Sequence, residues 1–149
     1  MKAVIQRVTE ASVTVAGEPV SSIGKGLMIL LGIQKGDTDE DRDYLLKKIP
    51  RLRIFDDENG VMNLDITQVG GEILLVSQFT LLAKTRKGNR PSYIDAEEPE
   101  IATVRYEEMA EALSEALGRP TQKGIFGADM QVQLVNDGPV TILIDSKNR

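Results

Sequence analysis

The segment Ser77-Gln78-Phe79-Thr80-Leu81 gathers groups that can do chemistry in a chain lacking the commonest catalytic side chains. The 149 residues include no histidine and no cysteine, which excludes imidazole bases, thiolate nucleophiles and cysteine zinc sites. The segment offers two hydroxyls, one amide and main-chain N–H groups, and such N–H groups can stabilise an oxyanion when a sheet does not use them. The alternative is a strand that becomes polar where it reaches solvent.

Thr80 is the candidate nucleophile of this segment, but a threonine hydroxyl needs a neighbouring base or a terminal amine to activate it. The chain has no histidine to do so. Lys84 is four residues further on, but in a strand or loop this spacing does not determine how close its amine lies to the Thr80 hydroxyl. We therefore favour a hydrogen-bonding role for Thr80 in a pocket. A general esterase that uses Thr80 covalently remains an alternative.

A second unusual segment is Asn136-Asp137-Gly138-Pro139-Val140-Thr141. Asp-Gly between two strands is typical of a tight hairpin turn. The proline that follows is unusual, because it removes a main-chain donor just as the second strand begins. A Gly–Pro bond is also among the few peptide bonds with a real chance of being cis. From these residues alone we expect a hairpin with proline at the start of a strand, and leave the bond's isomer open.

Periodicity and turn residues predict an α+β fold with a mostly antiparallel curved sheet or partial barrel and two helices, in a single domain covering residues 1–149. An Asp-x-x-Glu capping box at Asp37 to Glu40 is expected to open the first helix, and Pro50 is expected to end or kink it. The second helix begins near Pro99 and ends at a Gly118 cap. Strands are expected over residues 2–8, 11–16, 20–23, 27–34, 61–65, 73–79, 125–135 and 140–145.

The charge balance limits the kinds of partner. Eighteen Lys+Arg against 23 Asp+Glu give a net charge of −5, so a nucleic-acid contact should be local and neutralise few phosphates. The densest positive cluster lies in the Gly- and Pro-containing segment 84–93: Lys84, Arg86, Lys87 and Arg90. The longest apolar run, Leu27 to Ile33, is far shorter than the ~20 residues of a membrane span. With no signal peptide visible, we expect a cytoplasmic protein.

Ser-Gln-Phe-Thr-Leu at residues 77–81, followed by Asn-x-Gly-Pro-x-Thr at residues 136–141, resembles the signature pair of the D-aminoacyl-tRNA deacylases. The opening residues MKAVIQRV, the stretch Met62-Asn63-Leu64 and the stretch Phe126-Gly127-Ala128-Asp129-Met130 are similar to that family too. The match spans essentially the whole chain without a large insertion or deletion.

This resemblance implies a homodimeric hydrolase that cleaves the ester between a D-amino acid and the terminal adenosine of tRNA. It also implies action on glycyl-tRNA, including glycine mischarged on tRNA-Ala, no cofactor, no catalytic metal, and neither membrane nor DNA as a partner. The implied catalytic pocket is Ser77, Gln78, Phe79 and Thr80. A cis Gly138–Pro139 bond inserted into the partner's site would be the chirality filter, supported by Arg7, Asn136 and Met130, and the basic cluster would contact the phosphates of the tRNA acceptor stem.

Several of these roles have simpler structural alternatives. Arg7 could be a solvated arginine at a strand end, the basic cluster an ordinary solvated loop, and Phe79 a core residue rather than a surface for adenine. At the level of function, the main alternative is a non-catalytic module that binds nucleic-acid ends. The ester itself favours catalysis without a strong base, because its hydrolysis barrier is lower than that of an amide.

Overall fold

The first strand, β1 (Lys2–Val15), organises the sheet because three other strands pair with it. A computed structural model describes all residues 1–149. β2 (Glu18–Ile23) pairs with the second half of β1, β3 (Gly26–Gly32) with the first half, and the last strand (Met130–Asp145) with nearly its full length, all antiparallel. The predicted strands at 2–8 and 11–16 are thus one continuous strand that serves both halves of a curved sheet.

The sheet continues from β3 through two parallel neighbours, so it is mixed rather than purely antiparallel. A separate two-stranded hairpin lies off the main sheet. Two helices and two short 3-10 helices complete the chain. Their bounds are α1 (Asp39–Lys48), a 3-10 helix (Ile49–Arg51), β4 (Phe55–Asp56), β5 (Met62–Leu64), β6 (Glu72–Ser77), a 3-10 helix (Phe79–Leu82), α2 (Pro99–Leu117), β7 (Gln122–Lys123) and β8 (Met130–Asp145).

The curved sheet is buried on both faces along β3. Leu27, Ile29 and Leu31 belong to the larger core, which α1 and α2 cover, whereas Met28 belongs to a smaller core on the opposite face. A strand covered on both sides needs apolar residues at every position, which explains the uninterrupted apolar run. The expected α+β fold, a curved and partly closed sheet with two helices, is confirmed.

The hairpin expected at residues 136–139 is wrong. The chain does not reverse there: β8 runs on along β1 from the Val15–Met130 pair to the Lys2–Asp145 pair, with register shifts on either side of Val8. Gly138 has a φ of +127°, a conformation that glycine adopts readily, and the Gly138–Pro139 bond is cis. The segment is therefore an irregularity inside one long strand. The predicted strand over 125–135 begins only at Met130.

The first helix begins one residue later than expected. Thr38 is its N-cap and forms the capping box with Asp41, not Asp37 with Glu40. Asp37 instead accepts a 2.7 Å hydrogen bond from the buried terminal amine of Met1, a distant contact that local spacing does not reveal. The helix ends before Pro50, and α2 ends at Gly118 with φ +69°, both as predicted.

Candidate active site

A pocket of about 230 Å³ opens where β6 ends. One wall is the end of β6 and the residues that follow it, and the other wall is the segment that leads into β8 together with the first residues of that strand. Two predicted groups, the Ser77 segment and Met130, therefore meet here although 50 residues separate them in the chain. The lining residues are Val76, Ser77, Gln78, Phe79, Gly127, Ala128, Met130 and Val132.

The main chain beside this pocket presents two unused donors. Gln78 N–H still bonds to the Leu31 carbonyl at 2.8 Å, and Leu81 N–H turns back to the Gln78 carbonyl at 3.2 Å. Between them, the N–H groups of Phe79 and Thr80 donate to no acceptor of the chain. This follows from the local geometry, because the first N–H groups of a helical turn have no partner within it. Two adjacent donors can converge on one anionic oxygen.

The hydroxyl of Thr80 is held by an amide and not by a base. Gln78 Nε2 donates a hydrogen bond to Thr80 Oγ1. Lys84 is engaged elsewhere, with its Nζ 2.6 Å from Asp95 Oδ2. No group that could remove the hydroxyl proton contacts Thr80, so the arrangement suits hydrogen bonding better than covalent attack.

Phe79 is not a core residue. Its side chain is 56% exposed at the rim of the pocket, and Tyr93 packs edge-on against it with ring centroids 5.0 Å apart. The core alternative for Phe79 is therefore wrong. Sequence reasoning missed Tyr93, although it is the only aromatic residue of the segment 84–93. Two exposed aromatic rings at a pocket rim suit a flat ligand such as a nucleobase.

A hydrogen bond from α2 holds β6, the strand whose end forms the pocket. Tyr106 in α2 donates its hydroxyl hydrogen to the Leu75 carbonyl at 2.7 Å, and burial raises the pKa of this phenol above its ordinary value. On the other side, Gly32 lets the 3-10 helix Phe79–Leu82 approach β3 closely. A Cβ on Gly32 would lie 2.7 Å from Leu82 Cδ2 and 3.1 Å from the Gln78 carbonyl oxygen.

Hydrogen bonds of the Asn136 side chain join the two ends of the second motif. Asn136 Oδ1 accepts a hydrogen bond from Val140 N–H at 3.1 Å, and Asn136 Nδ2 donates to Thr141 Oγ1 at 3.2 Å. These bonds span the irregularity, so the amide replaces ladder partners that the local register shift removes. Gly138 and Pro139 are left exposed between them. This explains the Asn-x-Gly-Pro-x-Thr spacing in physical terms.

Arg7 braces the same segment from β1. Its side chain is 8% exposed, its Nε donates to the Asp137 carbonyl at 3.0 Å, and one terminal nitrogen donates to the Ile54 carbonyl at 2.7 Å. Asp56 lies 3.3 Å from the guanidinium and partly balances its charge. The alternative of a solvated arginine is wrong, and the expected contact with the Gly–Pro segment is present.

The two motifs do not meet within one protomer. Gly138 and Pro139 lie in the part of β8 that runs beside Arg7 of β1, and there β1 and β3 separate β8 from β6. Three strand spacings amount to about 14 Å along the sheet. Neither residue lines the pocket at the end of β6.

The basic cluster lies in the exposed segment between the second 3-10 helix and α2. Lys84 is paired with Asp95, whereas Arg86, Lys87 and Arg90 are exposed with no carboxylate within 4 Å. Elsewhere, no group of three or more acidic side chains is arranged to hold a metal ion. No helix is long and apolar enough to cross a bilayer.

Comparison with known proteins places the chain in a family. Residues 4–145 match the family model described as D-Tyr-tRNA(Tyr) deacylase. The chain is 60% identical to the D-aminoacyl-tRNA deacylase of Bacteroides thetaiotaomicron and 58% identical to that of Parabacteroides distasonis. Each alignment covers 100% of this chain and 99% of the relative. The chain therefore belongs to the D-Tyr-tRNA(Tyr) deacylase family.

Solved structures share the fold. The chain is 44% identical to a protein named c-Myc DNA Unwinding Element Binding Protein, with a TM-score of 0.91 over 97% of this chain and 98% of the other. A probable eukaryotic D-amino acid tRNA deacylase has a TM-score of 0.81 at 16% identity, covering 96% and 97% of the two chains. At that identity the second likeness concerns the fold alone.

Proposed function

We propose that this protein is a hydrolase that cleaves the ester bond of D-aminoacyl-tRNA and releases the free D-amino acid and tRNA. The single observation that carries the proposal is the pair of unused N–H groups of Phe79 and Thr80 beside a small pocket. Membership of the family supports the same substrate class. We expect the reaction to take place in the cytoplasm, where tRNA is charged and used.

The pocket accounts for catalysis without an acid–base side chain. When water attacks the ester carbonyl, negative charge develops on its oxygen, and each positioned N–H can lower the barrier by about 3–4 kcal/mol. Holding a water molecule or the neighbouring ribose hydroxyl in line contributes further. The bond between the carbonyl carbon and the ribose oxygen then breaks, and the ribose oxygen takes up the proton that the attacking water loses. Gln78 and Thr80 keep the donor segment in place through their side-chain hydrogen bond.

Gly138 and Pro139 complete the site from a second copy of the chain in this proposal. They are exposed, rigidly held by Arg7 and Asn136, and remote from the pocket of their own protomer. The same strand also exposes a large apolar side chain, with Leu143 75% exposed. A twofold dimer uses one surface twice, so each protomer can lend its segment to the other.

Selectivity follows from exclusion in this arrangement. Main-chain carbonyls of the partner's Gly138 and the partner's Pro139 occupy the direction that an L side chain needs, whereas a D side chain points outward. Glycine has no side chain, so the filter cannot reject it, and glycyl-tRNA, including tRNA-Ala mischarged with glycine, is expected to be cleaved. If the same carbonyls hold the substrate amine, substrates with a blocked amine should be poor.

The tRNA end has two contact zones beside the pocket. Phe79 and Tyr93 present exposed rings on which the terminal adenine can stack. Arg86, Lys87 and Arg90 offer exposed charges for the nearest phosphates. So few cations predict a small RNA footprint and a shallow dependence on salt.

One assay tests the central proposal. The purified protein is incubated with D-Tyr-tRNA and with L-Tyr-tRNA at equal concentration, and release of the amino acid is followed. We expect cleavage of the D substrate and none of the L substrate above the spontaneous rate. Equal cleavage of both, or of neither, contradicts the proposal. Adding a chelator should leave the rate unchanged.

A second candidate is a non-catalytic module that binds nucleic-acid ends. One observation favours it: the 44% identical structure is named as a binding protein for a DNA element. Tight binding of uncharged tRNA or of DNA, with no turnover of any charged tRNA, would support this candidate. The net charge of −5 argues against broad binding to a duplex.

A further inference from the structure

The positive side chains without an acidic partner fall into a pattern. Eight of the 18 lysines and arginines lie within 4 Å of a carboxylate, which leaves ten unpaired in a chain rich in acids. Three of the ten are in the basic segment beside the pocket. Four others follow one another closely at the end of α1: Lys47, Lys48, Arg51 and Arg53.

Two of these four line an open groove of about 470 Å³, here called the α1 groove, whose lining also includes Leu46, Pro50 and Ala116. Lys47 and Arg51 form one side, and the turn containing Asp65, Thr67 and Gln68 forms the other. Except for Asp65, these five residues are exposed. The groove is therefore open to a macromolecular ligand.

The groove offers more donors than acceptors. Asp65 Oδ1 accepts from Gln68 N–H at 3.0 Å, and Gln68 Oε1 accepts from Asp65 N–H at 2.9 Å, so these two acceptors are engaged within the turn. Asp65 Oδ2 is not engaged, and the carboxylate offsets one of the two positive charges, which leaves the groove with a net charge of about +1. The Thr67 hydroxyl and the Gln68 NH₂ make no hydrogen bond to the chain, and the two cations have no acid partner. Exposed donors of this kind fit phosphate oxygens.

Helix stabilisation accounts for part of this set. Lys47 and Lys48 are in the last turn of α1, and Arg51 is in the last turn of the 3-10 helix that directly follows, where cations stabilise the negative end of a helix. Lys47 and Arg51 are nevertheless exposed and have no carboxylate within 4 Å, so both charges are also available to a ligand. The effect of Arg51 on RNA-dependent kinetics distinguishes a ligand-binding role from a structural one.

The groove lies next to the segment that we propose enters the partner's site. The same Arg7 guanidinium binds the carbonyls of Ile54 and Asp137, so residue 54 is adjacent to the Gly138–Pro139 bond. Arg51 is only three residues before Ile54, about 10 Å of extended chain. In the proposed dimer, the α1 groove of one protomer thus flanks the pocket of the other.

We propose that the α1 groove binds the phosphate backbone of the tRNA acceptor arm whose 3′ end lies in the partner's pocket. This inference rests on the proposed function and extends the RNA footprint beyond the segment 84–93. Two cations per groove keep that footprint small, in agreement with the acidic charge balance. The alternative negatively charged ligand for the α1 groove is an acidic polypeptide.

The test compares two substrates in Arg51→Gln. On D-Tyr-tRNA we expect kcat/KM to fall about 5- to 10-fold at low salt, and the slope of log kcat/KM against log salt to become shallower by about 1. On D-tyrosyl-adenosine, which lacks the acceptor arm, kcat/KM should not change. Lys123→Gln is the matched control, because it removes one half-exposed charge that is already paired with Glu107.

The outcomes separate this inference from the proposed function. If the unaltered protein cleaves neither substrate, the proposed function fails. If the protein cleaves both but Arg51→Gln matches Lys123→Gln on tRNA in rate and in salt slope, the groove proposal is overturned. Loss of poly-glutamate binding in Arg51→Gln, with unchanged tRNA kinetics, would also overturn it and indicate the acidic polypeptide instead.

Mixed dimers test the cross-subunit geometry. One protomer carries Ala128→Trp, which fills its own pocket, and only the other protomer can turn over substrate. Adding Arg51→Gln to the blocked protomer should lower tRNA cleavage as in the uniform variant, whereas adding it to the active protomer should not. The reverse result overturns the assignment of the groove to the partner's substrate.

Discussion

Replacing Arg7 with lysine tests whether the rigid placement of the Gly138–Pro139 segment sets chiral selectivity. The guanidinium bridges two carbonyls, at 3.0 Å to Asp137 and 2.7 Å to Ile54, and a single ammonium cannot reproduce that fork. Losing one hydrogen bond to a charged group costs about 1.5–3 kcal/mol. Since about 1.4 kcal/mol is a tenfold change in population, the correctly held segment becomes roughly 10- to 150-fold rarer relative to displaced forms.

The ratio of kcat/KM for D-Tyr-tRNA over L-Tyr-tRNA should therefore fall by up to that factor in Arg7→Lys. The melting temperature should fall by roughly 3–12 °C, because 1 kcal/mol shifts it by about 2–4 °C in a chain of this size. Arg53→Lys is the matched control: Arg53 also donates to a main-chain carbonyl, Asn63 O at 2.8 Å, but it is exposed and does not contact the Gly–Pro segment. An Arg7→Lys protein with a lower melting temperature and an unchanged ratio would refute the reasoning.

Three further predictions concern the pocket and the stability of the fold. Gly32→Ala places a Cβ 2.7 Å from Leu82 Cδ2 and 3.1 Å from the Gln78 carbonyl, so kcat should fall about 10²-fold with little change in the circular dichroism spectrum. Thr80→Val should keep appreciable turnover in the D-Tyr-tRNA assay, whereas complete loss in a folded protein would support the covalent alternative. Burial raises the pKa of Asp41, but hydrogen bonds from a main-chain N–H, a lysine and a serine outweigh it and hold that pKa well below its ordinary value. This carboxylate therefore stabilises the fold above its unfolded pKa of about 3.9, and loses that effect as the pH falls. Asp41→Asn should lower the free energy of unfolding, measured in urea, by about 3 kcal/mol at pH 7. If the variant and the unaltered protein differ by as much at pH 2, the ionised Asp41 carboxylate is not the source of this stability.

The features that the sequence predicted well are those decided by neighbouring residues. Pro99 and Gly118 bound α2 because helix ends depend on the chemistry of a few adjacent positions. The apolar run at β3 indicated a doubly buried strand for a similarly local reason. The association of the Ser77 and Gly138 motifs in one site was predicted from family resemblance and not from any physical rule of spacing, and it stays a proposal.

The features that were mispredicted depend on distant partners. Asp-Gly predicts a hairpin only if the following strand pairs with the preceding one, and here both halves of β8 pair with β1. The terminal amine of Met1 similarly draws Asp37 away from the expected capping box. In both cases a contact remote in sequence outweighs a local preference.

The sequence alone therefore determined which chemistry is available: no imidazole, no thiol, and a hydroxyl- and amide-rich segment at the end of a buried strand. Only the tertiary structure decided that two N–H groups beside that segment are unused, that Phe79 and Tyr93 meet at its rim, and that Arg7 is buried beneath the Gly–Pro segment. Residue types can be read directly from the sequence. Hydrogen-bond partners and burial depend on which strands pair, and strand pairing joins residues more than a hundred positions apart.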